Sequence, residues 1–418
     1  MGNNSRDDAQ EPAGVEDALT EVLRQGAQEL IRQAVEAELA DLLAQYAGRR
    51  DAKGRAAVVR NGYLPEREVL TGMGPVRVQV PKVRSRTEES VTFHSRLVPP
   101  YVRRTKRVEA ALPWLYLKGI STGQMQEALE VLVGPEAKGL SASVVSRLKG
   151  QWHGEYEEWK KRPLDGGRWL YWWADGIYSG LRAERQRMCL LVIIGLDEQG
   201  KKHFVAIEDG VRESTQSWRE VLLALKARVL QEGPLLGVGD GALGFWAAMD
   251  EVFPETRHQR CWVHKTVNVL NYLPKTAQGK AKEGLREMEI WMAPTRAKAE
   301  SAADHFVQAY EAKYPKAVHC LVKDREALLA FYDFPAEHWV HLRTTNPIES
   351  TFGTIRHRTD QARGCVSRTT MLAFAYKLGM CAERRWKRIR GVNQIGKLVE
   401  GVHFQDGTAM ETSVGIAA

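Results

Sequence analysis

The stretch Arg-Trp-Leu-Tyr-Trp-Trp-Ala-Asp-Gly-Ile-Tyr, at residues 168–178, decides the fold. It is aromatic and β-prone, and its only acidic residue is Asp175. Burying a carboxylate among so many apolar side chains costs free energy unless the group is paired or bound to a metal ion. Gly176 beside it permits close approach by a ligand or by backbone. The simpler role, an Asp that starts a turn, is disfavoured because the strand pattern continues through Ile177 and Tyr178.

Strands and helices alternate in the sequence that follows. Strands are predicted over 187–196, 202–207, 235–239 and 256–263, and helices over 215–230 and 242–252. The order β-β-β-α-β-α-β is typical of a ribonuclease-H-like fold, in which three antiparallel strands precede parallel strands joined by helices.

The regions outside this core predict a multidomain α+β chain. We expect disorder over 1–15, a helical region over 16–59, a small β-rich basic module over 60–105, a helix-turn-helix over 106–150, the α/β core over 168–265, an all-α insertion over 266–340, the end of the core with basic helices over 341–400, and a tail over 401–418. The acidic amphipathic pattern at 19–43 must bury its apolar stripe, either internally or against another subunit. Val76, Val78 and Val80 alternate with polar residues up to Pro81, which predicts a half-buried strand.

Residues 106–150 predict two helices with a break between them. Ser121 is a suitable N-cap for one helix. A second, short helix is predicted to start at Ser141, with Arg147 and Lys149 on its outer face. A DNA-binding helix-turn-helix presents such side chains to phosphates or base edges. An ordinary helical hairpin fits this pattern equally well.

Basic side chains are concentrated in two regions. The formal net charge is +8, with 13 basic against 6 acidic residues over 51–110 and 12 against 4 over 341–400. Two basic regions favour a polyanionic partner such as nucleic acid over a merely solvated surface.

The longest apolar run, 188–196, is too short to span a bilayer, and the N-terminus lacks a secretory pattern. These two features predict a cytoplasmic protein without a membrane partner. The five cysteines include no CxxC pair, so neither a disulfide framework nor a four-cysteine zinc site is expected.

Two more carboxylates are candidates to join Asp175. Asp240 follows the predicted strand 235–239, at the end where open α/β sheets bind ligands, although it could also cap the next helix. Glu349 stands at the third position of a helix that Asn346 would cap, so completing a capping box is a competent alternative role. Carboxylates that converge from different elements can hold two metal ions, which activate an attacking oxygen and stabilise a leaving one.

Short motifs spread over nearly the whole chain match one family. They are Arg60-Asn61-Gly62-Tyr63, Leu70-Thr71-Gly72, Val78-Gln79-Val80-Pro81-Lys82-Val83-Arg84, Tyr116-Leu117-Lys118-Gly119-Ile120-Ser121-Thr122, Gly139-Leu140-Ser141-Ala142-Ser143, Asp175-Gly176-Ile177-Tyr178, Gly239-Asp240-Gly241-Ala242, Cys261-Trp262-Val263-His264 and Asn346-Pro347-Ile348-Glu349-Ser350. With these motifs the chain resembles the mutator-type transposases of bacterial insertion sequences, which are DDE-type enzymes on a ribonuclease-H-like fold. Any one motif alone is weak, but together they are highly specific.

The resemblance implies a catalytic triad of Asp175, Asp240 and Glu349 that holds two Mg²⁺ ions, or Mn²⁺ in their place. It also implies that His264 lies near the active site as a contact of the phosphate or the scissile strand, with Cys261 beside it. From the residues alone, Cys261 and His264 could form half of a zinc site, but no second ligand pair of fitting spacing is evident. A hydrogen-bonded core histidine is equally consistent.

The resemblance further implies double-stranded DNA as the partner, both the terminal inverted repeats of an element and target DNA, in the nucleoid of a bacterial cytoplasm. Concerted cutting of two ends implies a homodimer. The side chains expected to bind DNA are Cys261, Arg147, Lys149, Arg356, Arg358, Arg384, Arg385, Lys387 and Arg388, the last four on one basic helix with Trp386 and Arg390. Two alternatives stay open: a ribonuclease-H-like nuclease or resolvase that cuts without joining, and a non-catalytic helix-turn-helix regulator.

Overall fold

The computed structural model describes residues 18–118, 120, 122–133, 142–179, 188–228, 230, 232–241, 243–286, 290–361 and 367–410, without the side chains of 109, 110, 116–118, 122, 123, 131–133, 142, 179, 243, 286 and 354–361. The chain divides into two compact units, Met1–Leu148 and Lys149–Ala418, which are described one at a time below. The disorder expected over 1–15 and the N-cap expected at Ser121 lie outside the described residues. None of the described helices is long and apolar enough to cross a membrane.

The first unit combines helices with short strand pairs. Its elements are α1 (Ala18–Gln45), β1 (Val58–Tyr63), β2 (Arg67–Thr71), β3 (Gly74–Val78), β4 (Pro81–Ser85), α2 (Lys106–Lys118) and α3 (Thr122–Val133). β1 pairs with β4 and β2 pairs with β3, both antiparallel. The strand expected to continue to Pro81 ends at Val78 instead, and Pro81 opens the next strand. Proline has no N–H to donate to a ladder, so the first position of a strand suits it.

The apolar stripe of α1 is buried within the first unit over its C-terminal half. Val35 and Leu39 pack in one cluster with Val76 and Val78 of β3. The N-terminal half of the helix leaves large apolar side chains exposed, namely Leu19, Val22, Leu23 and Leu30. The stripe was expected to be buried either internally or against another subunit. Internal packing accounts for the C-terminal half of the helix alone.

The next helix, α4 (Ala142–Lys161), is twenty residues long, so the expectation of a short helix here is wrong. The reason is that apolar residues recur every three or four positions well beyond the predicted end, which keeps one helix face apolar. The buried residues of this face are Val145, Leu148, Trp152, Tyr156 and Trp159. The Tyr156 hydroxyl donates to Ile207 O at 2.8 Å, which ties the helix to the sheet of the second unit.

A five-stranded mixed sheet forms the centre of the second unit. Its strands and first helices are β5 (Tyr171–Ser179), β6 (Met188–Leu196), β7 (Lys202–Gly210), α5 (Thr215–Lys226), β8 (Leu236–Gly239), α6 (Leu243–Val252) and β9 (Arg257–Arg260). The strand order is β7-β6-β5-β8-β9. The pairs β5–β6 and β6–β7 are antiparallel, whereas β5–β8 and β8–β9 are parallel. The expected order of three antiparallel strands followed by two parallel ones is confirmed, with β5 at the centre.

The two faces of this sheet have different surroundings. Ala174 of β5 lies in a core cluster with Trp218 of α5 and Met249 of α6. Successive side chains of a strand point to opposite faces. Asp175 therefore lies on the other face of the sheet, which it shares with Trp173. The indole N–H of Trp173 donates to a backbone carbonyl of the helical segment that follows the sheet, at 2.9 Å.

Helices make up most of the remaining chain. They are α7 (Trp262–Leu270), α8 (Lys275–Arg286), α9 (Arg296–Tyr310), α10 (Pro315–Val322), α11 (Arg325–Leu329), α12 (Trp339–Leu342), α13 (Asn346–Gln361), α14 (Arg368–Glu383) and α15 (Ile395–Val399), with 3₁₀ turns at Ala330–Asp333, Ala336–His338 and Val392–Gln394 and a hairpin of β10 (Phe404–Gln405) and β11 (Thr408–Ala409). Helices α8 to α12 thus stand between the last strand of the sheet and α13, where an all-α insertion is expected.

The strand predicted over 256–263 is shorter than expected. It ends at Arg260, and α7 begins at Trp262 with Cys261 as its N-cap. Trp262 donates its backbone N–H to Arg343 O at 2.9 Å and its indole N–H to Leu328 O at 2.8 Å. These bonds to the helical segment take the chain away from the sheet.

The basic helix expected over 384–390 is also absent, because α14 ends at Glu383. The Glu383 carboxylate accepts a hydrogen bond from Phe204 N at 2.8 Å, and Trp386 packs on the Phe204 ring with 5.0 Å between centroids. Ile389 N then donates to Gly200 O at 3.0 Å. The chain is thereby held against β7 in an irregular path, with its basic side chains Arg384, Arg385, Lys387, Arg388 and Arg390 exposed.

Candidate active site

The register of two parallel strands brings Asp175 and Asp240 together. Ala174 of β5 is the Cα partner of Gly239 of β8. Asp175 and Asp240 are the next residue on each strand, so they emerge side by side where β8 ends. Their carboxylates belong to one group of acids whose oxygens lie within 4.8 Å of one another.

The third member of that group is Glu213, which sequence reasoning missed. It lies in the connection between β7 and α5, where a Glu before a helix looks like an ordinary capping-region residue. Gly176 is the one signal that could have pointed to it. A Cβ at Gly176 would overlap the Glu213 side chain, so the group that needs the open space beside Asp175 is this carboxylate.

Crowding of negative charge shows in the pKa values of two of the acids. Burial, followed by the charge of Asp240, raises the pKa of Asp175 to about 6. Burial, followed by the charges of Asp240 and Asp175, raises the pKa of Glu213 to about 7. Nearby like charges and a dry environment both disfavour the ionised carboxylate, so a cation bound among these oxygens would be strongly favoured. Oxygen donors of this kind suit Mg²⁺ or Mn²⁺.

Glu349 does not belong to the three-acid group in the part of the chain that the structure describes. It lies on α13 beside His264, with 3.5 Å between His264 Nε2 and Glu349 Oε1. The structure therefore brings together two members of the expected triad, Asp175 and Asp240. Glu349 contacts His264, whose charge lowers the pKa of Asp175.

The capping box considered for Glu349 does not form. Thr345 O accepts the backbone N–H groups of Ile348 at 2.9 Å and Glu349 at 3.3 Å, so the first helical hydrogen bonds start from Thr345. A capping box needs the N-cap backbone N–H to point at the Glu side chain, but Thr345 N donates to Cys261 Sγ at 3.4 Å. The Thr345 hydroxyl instead donates to Glu349 Oε1 at 3.3 Å, which leaves most of the carboxylate free to act elsewhere.

Cys261 and His264 form a polarised pair under this helix. A hydrogen bond with Cys261, followed by the charges of Cys261, Asp175 and Glu349, outweighs burial and raises the pKa of His264 to about 9. Burial opposes ionisation of the Cys261 thiol, but its hydrogen bonds with His264 and Thr345 bring its pKa below the ordinary value. The imidazole is therefore protonated at neutral pH and places a positive charge next to the acids.

The structure does not put every expected DNA contact on the surface. Cys261 is fully buried, so its side chain cannot touch DNA as predicted, and its contacts are with His264 and Thr345. Arg147 is exposed and Lys149 is half-buried on α4. The side chains of Arg356 and Arg358 lie outside the description.

Comparison with known proteins gives consistent matches. The family described as Transposase, Mutator family, matches residues 3–388. The transposase for insertion sequence element IST2 of Acidithiobacillus ferrooxidans is 54% identical over 283 residues, which is 68% of this chain and 95% of that protein. The transposase for IS6120 of Mycolicibacterium smegmatis is 45% identical over 305 residues, 73% of this chain and 93% of that protein.

Among solved structures, the chain matches the HTLV-2 integrase catalytic core domain in complex with magnesium, in its trimeric form. The identity is 19%, the TM-score is 0.17, and the match covers 31% of this chain and 91% of that domain.

Proposed function

The chain belongs to the Mutator family of transposases, and on that premise we propose that it binds the terminal inverted repeats of an insertion sequence and catalyses metal-dependent strand cleavage and strand transfer. The observation that carries this proposal is the convergence of Asp175, Asp240 and Glu213 at the end of the paired strands β5 and β8. A phosphodiester-cleaving site of the DDE type needs carboxylates from separate elements at one point.

The acids fit divalent cations, because three negatively charged carboxylates are crowded at one point and the pKa values of Asp175 and Glu213 are raised there. Asp175, Asp240 and Glu213 would hold one ion, and Glu349, whose charge acts on Asp175, is the candidate carboxylate for a second. The bound Mg²⁺ or Mn²⁺ would activate the attacking oxygen and stabilise the leaving one. The chain's own contribution is to fix these oxygens through the strand register and to keep the sheet side of the site dry.

His264 supplies the positive charge of this site. Its imidazole, with a pKa raised to about 9, is a hydrogen-bond donor that could meet a phosphate oxygen of the scissile strand. Cys261 and Thr345 hold the ring in place. The Thr345 hydroxyl contacts both His264 Nδ1 and Cys261 Sγ. We propose that His264 positions Glu349 before DNA binds and contacts the phosphate afterwards.

The DNA itself would be held by basic side chains, namely the exposed Arg147 and the half-buried Lys149 on α4, and the exposed Arg384, Arg385, Lys387 and Arg388 on the segment that follows α14. Each phosphate contact should steepen the salt dependence of binding. Two ends cut in concert require two active sites, so we propose a homodimer that works on the bacterial nucleoid.

One assay tests the proposal against its two alternatives. Purified full-length protein is incubated with labelled element ends, a target plasmid and Mg²⁺. We expect cut ends together with ends joined to the plasmid. Cut ends without joined product would favour a nuclease or resolvase, and retarded but uncut ends would favour a regulator.

The residue that the structure adds to the site gives a separate prediction. We expect Glu213→Gln to weaken Mn²⁺ binding by about tenfold or more, because loss of one carboxylate from a metal site costs at least as much as loss of its supporting hydrogen bonds. The measurement is a Mn²⁺ titration followed by electron paramagnetic resonance. Glu220→Gln, an exposed site on α5, is the matched control. An unchanged Mn²⁺ affinity in Glu213→Gln would remove Glu213 from the site.

A further inference from the structure

The segment Gln259–Lys265 joins the active site to the helices inserted after the sheet. Cys261 and His264 face Glu349 and Thr345, as described above. Other residues of the same segment form hydrogen bonds with the inserted helices. Gln259 Nε2 donates to Leu328 O of α11 at 3.1 Å, and Lys265 Nζ donates to Cys320 O of α10 at 2.6 Å.

Arg260, the last residue of β9, contacts the turn that carries Asp240. Its Nη1 donates to Gly241 O at 3.0 Å. Gly241 has φ +89°, a backbone conformation that residues other than glycine rarely adopt. A Cβ there would overlap Arg260 Nη1. The guanidinium therefore occupies the space that a side chain at 241 would fill. The Arg260 side chain thus holds the Gly241 carbonyl, one residue after Asp240.

Arg260 is itself held by a carboxylate from the inserted helices. Asp324 precedes α11, and its Oδ2 lies 3.1 Å from Arg260 Nε. The same oxygen forms an ion pair with Lys265 Nζ, whose side chain is completely buried. The Arg260 side chain is only 11% exposed, so screening by water is weak. Two cations share one carboxylate here, and removal of Asp324 would leave both without a balancing negative charge, which is strongly unfavourable in a buried position.

We infer that Arg260 is a positioning residue for Asp240 and that the inserted helices, through Asp324, hold it in place. The inference rests on the proposed role of Asp240 as a metal ligand. Groups behind metal ligands fix their orientation, and their loss typically costs about 10–100-fold in metal affinity or activity. The insertion thereby contributes to the geometry of the metal site without supplying a ligand to it.

The test is a Mn²⁺ titration of the full-length protein, followed by electron paramagnetic resonance, with the Mg²⁺ concentration for half-maximal cleavage as a second readout. We expect Arg260→Met to weaken Mn²⁺ affinity about tenfold. Arg260→Lys should recover part of that loss, because an ammonium can still donate to Gly241 O. Asp324→Asn should weaken the affinity in the same direction, and it tests the link should Arg260→Met fail to fold.

Arg257→Met is the matched control. Arg257 lies on the same strand and pairs with Asp333 of the helical segment, but it stands opposite Leu236, at the other end of β9 from Arg260. We expect its Mn²⁺ affinity to equal that of the wild type. If folded Arg260→Met and Asp324→Asn bind Mn²⁺ like the wild type while Asp240→Asn binds it weakly, the positioning role is wrong and the metal site stands. If Asp240→Asn also binds normally, the proposed metal site itself is wrong.

Discussion

Replacing Asp240 with Asn should slow strand cleavage by about 10³-fold or more. The residue follows β8 where this strand pairs with β5, and its carboxylate forms one group with those of Asp175 and Glu213. An amide keeps the size of the side chain but cannot balance a divalent cation. The charge stabilisation that a metal ion supplies is worth several kcal/mol, and about 1.4 kcal/mol corresponds to tenfold in rate. The measurement is single-turnover cleavage of a labelled element end at saturating Mg²⁺.

The control for this variant is Asp250→Asn, because Asp250 lies on the neighbouring helix α6 with a side chain that is 65% exposed. Its cleavage rate should match that of the wild type. Binding of the labelled end without metal should persist in Asp240→Asn, since the change removes no basic side chain. Cleavage by Asp240→Asn within tenfold of the wild-type rate would contradict the assignment of Asp240.

Replacing Gly244 with Ala should both destabilise the second unit and abolish most cleavage. In most helices this change favours folding by up to about 1 kcal/mol. Here a Cβ would overlap Glu213 O and lie 2.7 Å from the carbonyl carbon of Ser214. These are backbone atoms, so α6 and the start of α5 must move apart. Overpacking of this kind costs about 1–3 kcal/mol, and the segment that must move carries Glu213.

Gly279→Ala is the matched control for the steric argument. Gly279 lies within α8, and a Cβ there would meet nothing within 4 Å, so we expect this variant to be at least as stable as the wild type. Urea unfolding followed by tryptophan fluorescence measures both effects. Should Gly244→Ala unfold at the same urea concentration as Gly279→Ala and cleave at the wild-type rate, the close packing of α6 on Glu213 would be refuted.

Sequence periodicity was sufficient for the central sheet and for two of its acids. Between residues 168 and 260, each predicted element shows a single hydrophobic pattern, either that of a strand or that of a helix. The local preferences therefore agree with the strand order of the fold. Asp175 interrupts an apolar strand, and Asp240 ends another, so each stands out against its neighbours. Their proximity followed from the parallel pairing expected of the fold, and the register of Ala174 with Gly239 provides it.

Two helix predictions were wrong for different reasons. Helix α4 outlasts its predicted end because buried aromatic residues of its own sequence continue its apolar face. The basic residues after α14 do not form a helix, because Glu383 and Ile389 bond to β7 and its preceding turn. This second outcome depends on residues more than a hundred positions away in the sequence, and no window of neighbouring residues contains them.

By itself, then, the sequence determined the order of strands, the family and the two strand-borne aspartates, because these depend on periodicity and on short motifs. Only the tertiary structure decided the rest of the site. It brought Glu213 over Gly176, set His264 between Glu349 and the acids, buried Cys261, and placed Arg260 behind Asp240. Each of these is a contact between different elements, and its energy comes from burial and charge proximity that exist only after the elements have packed.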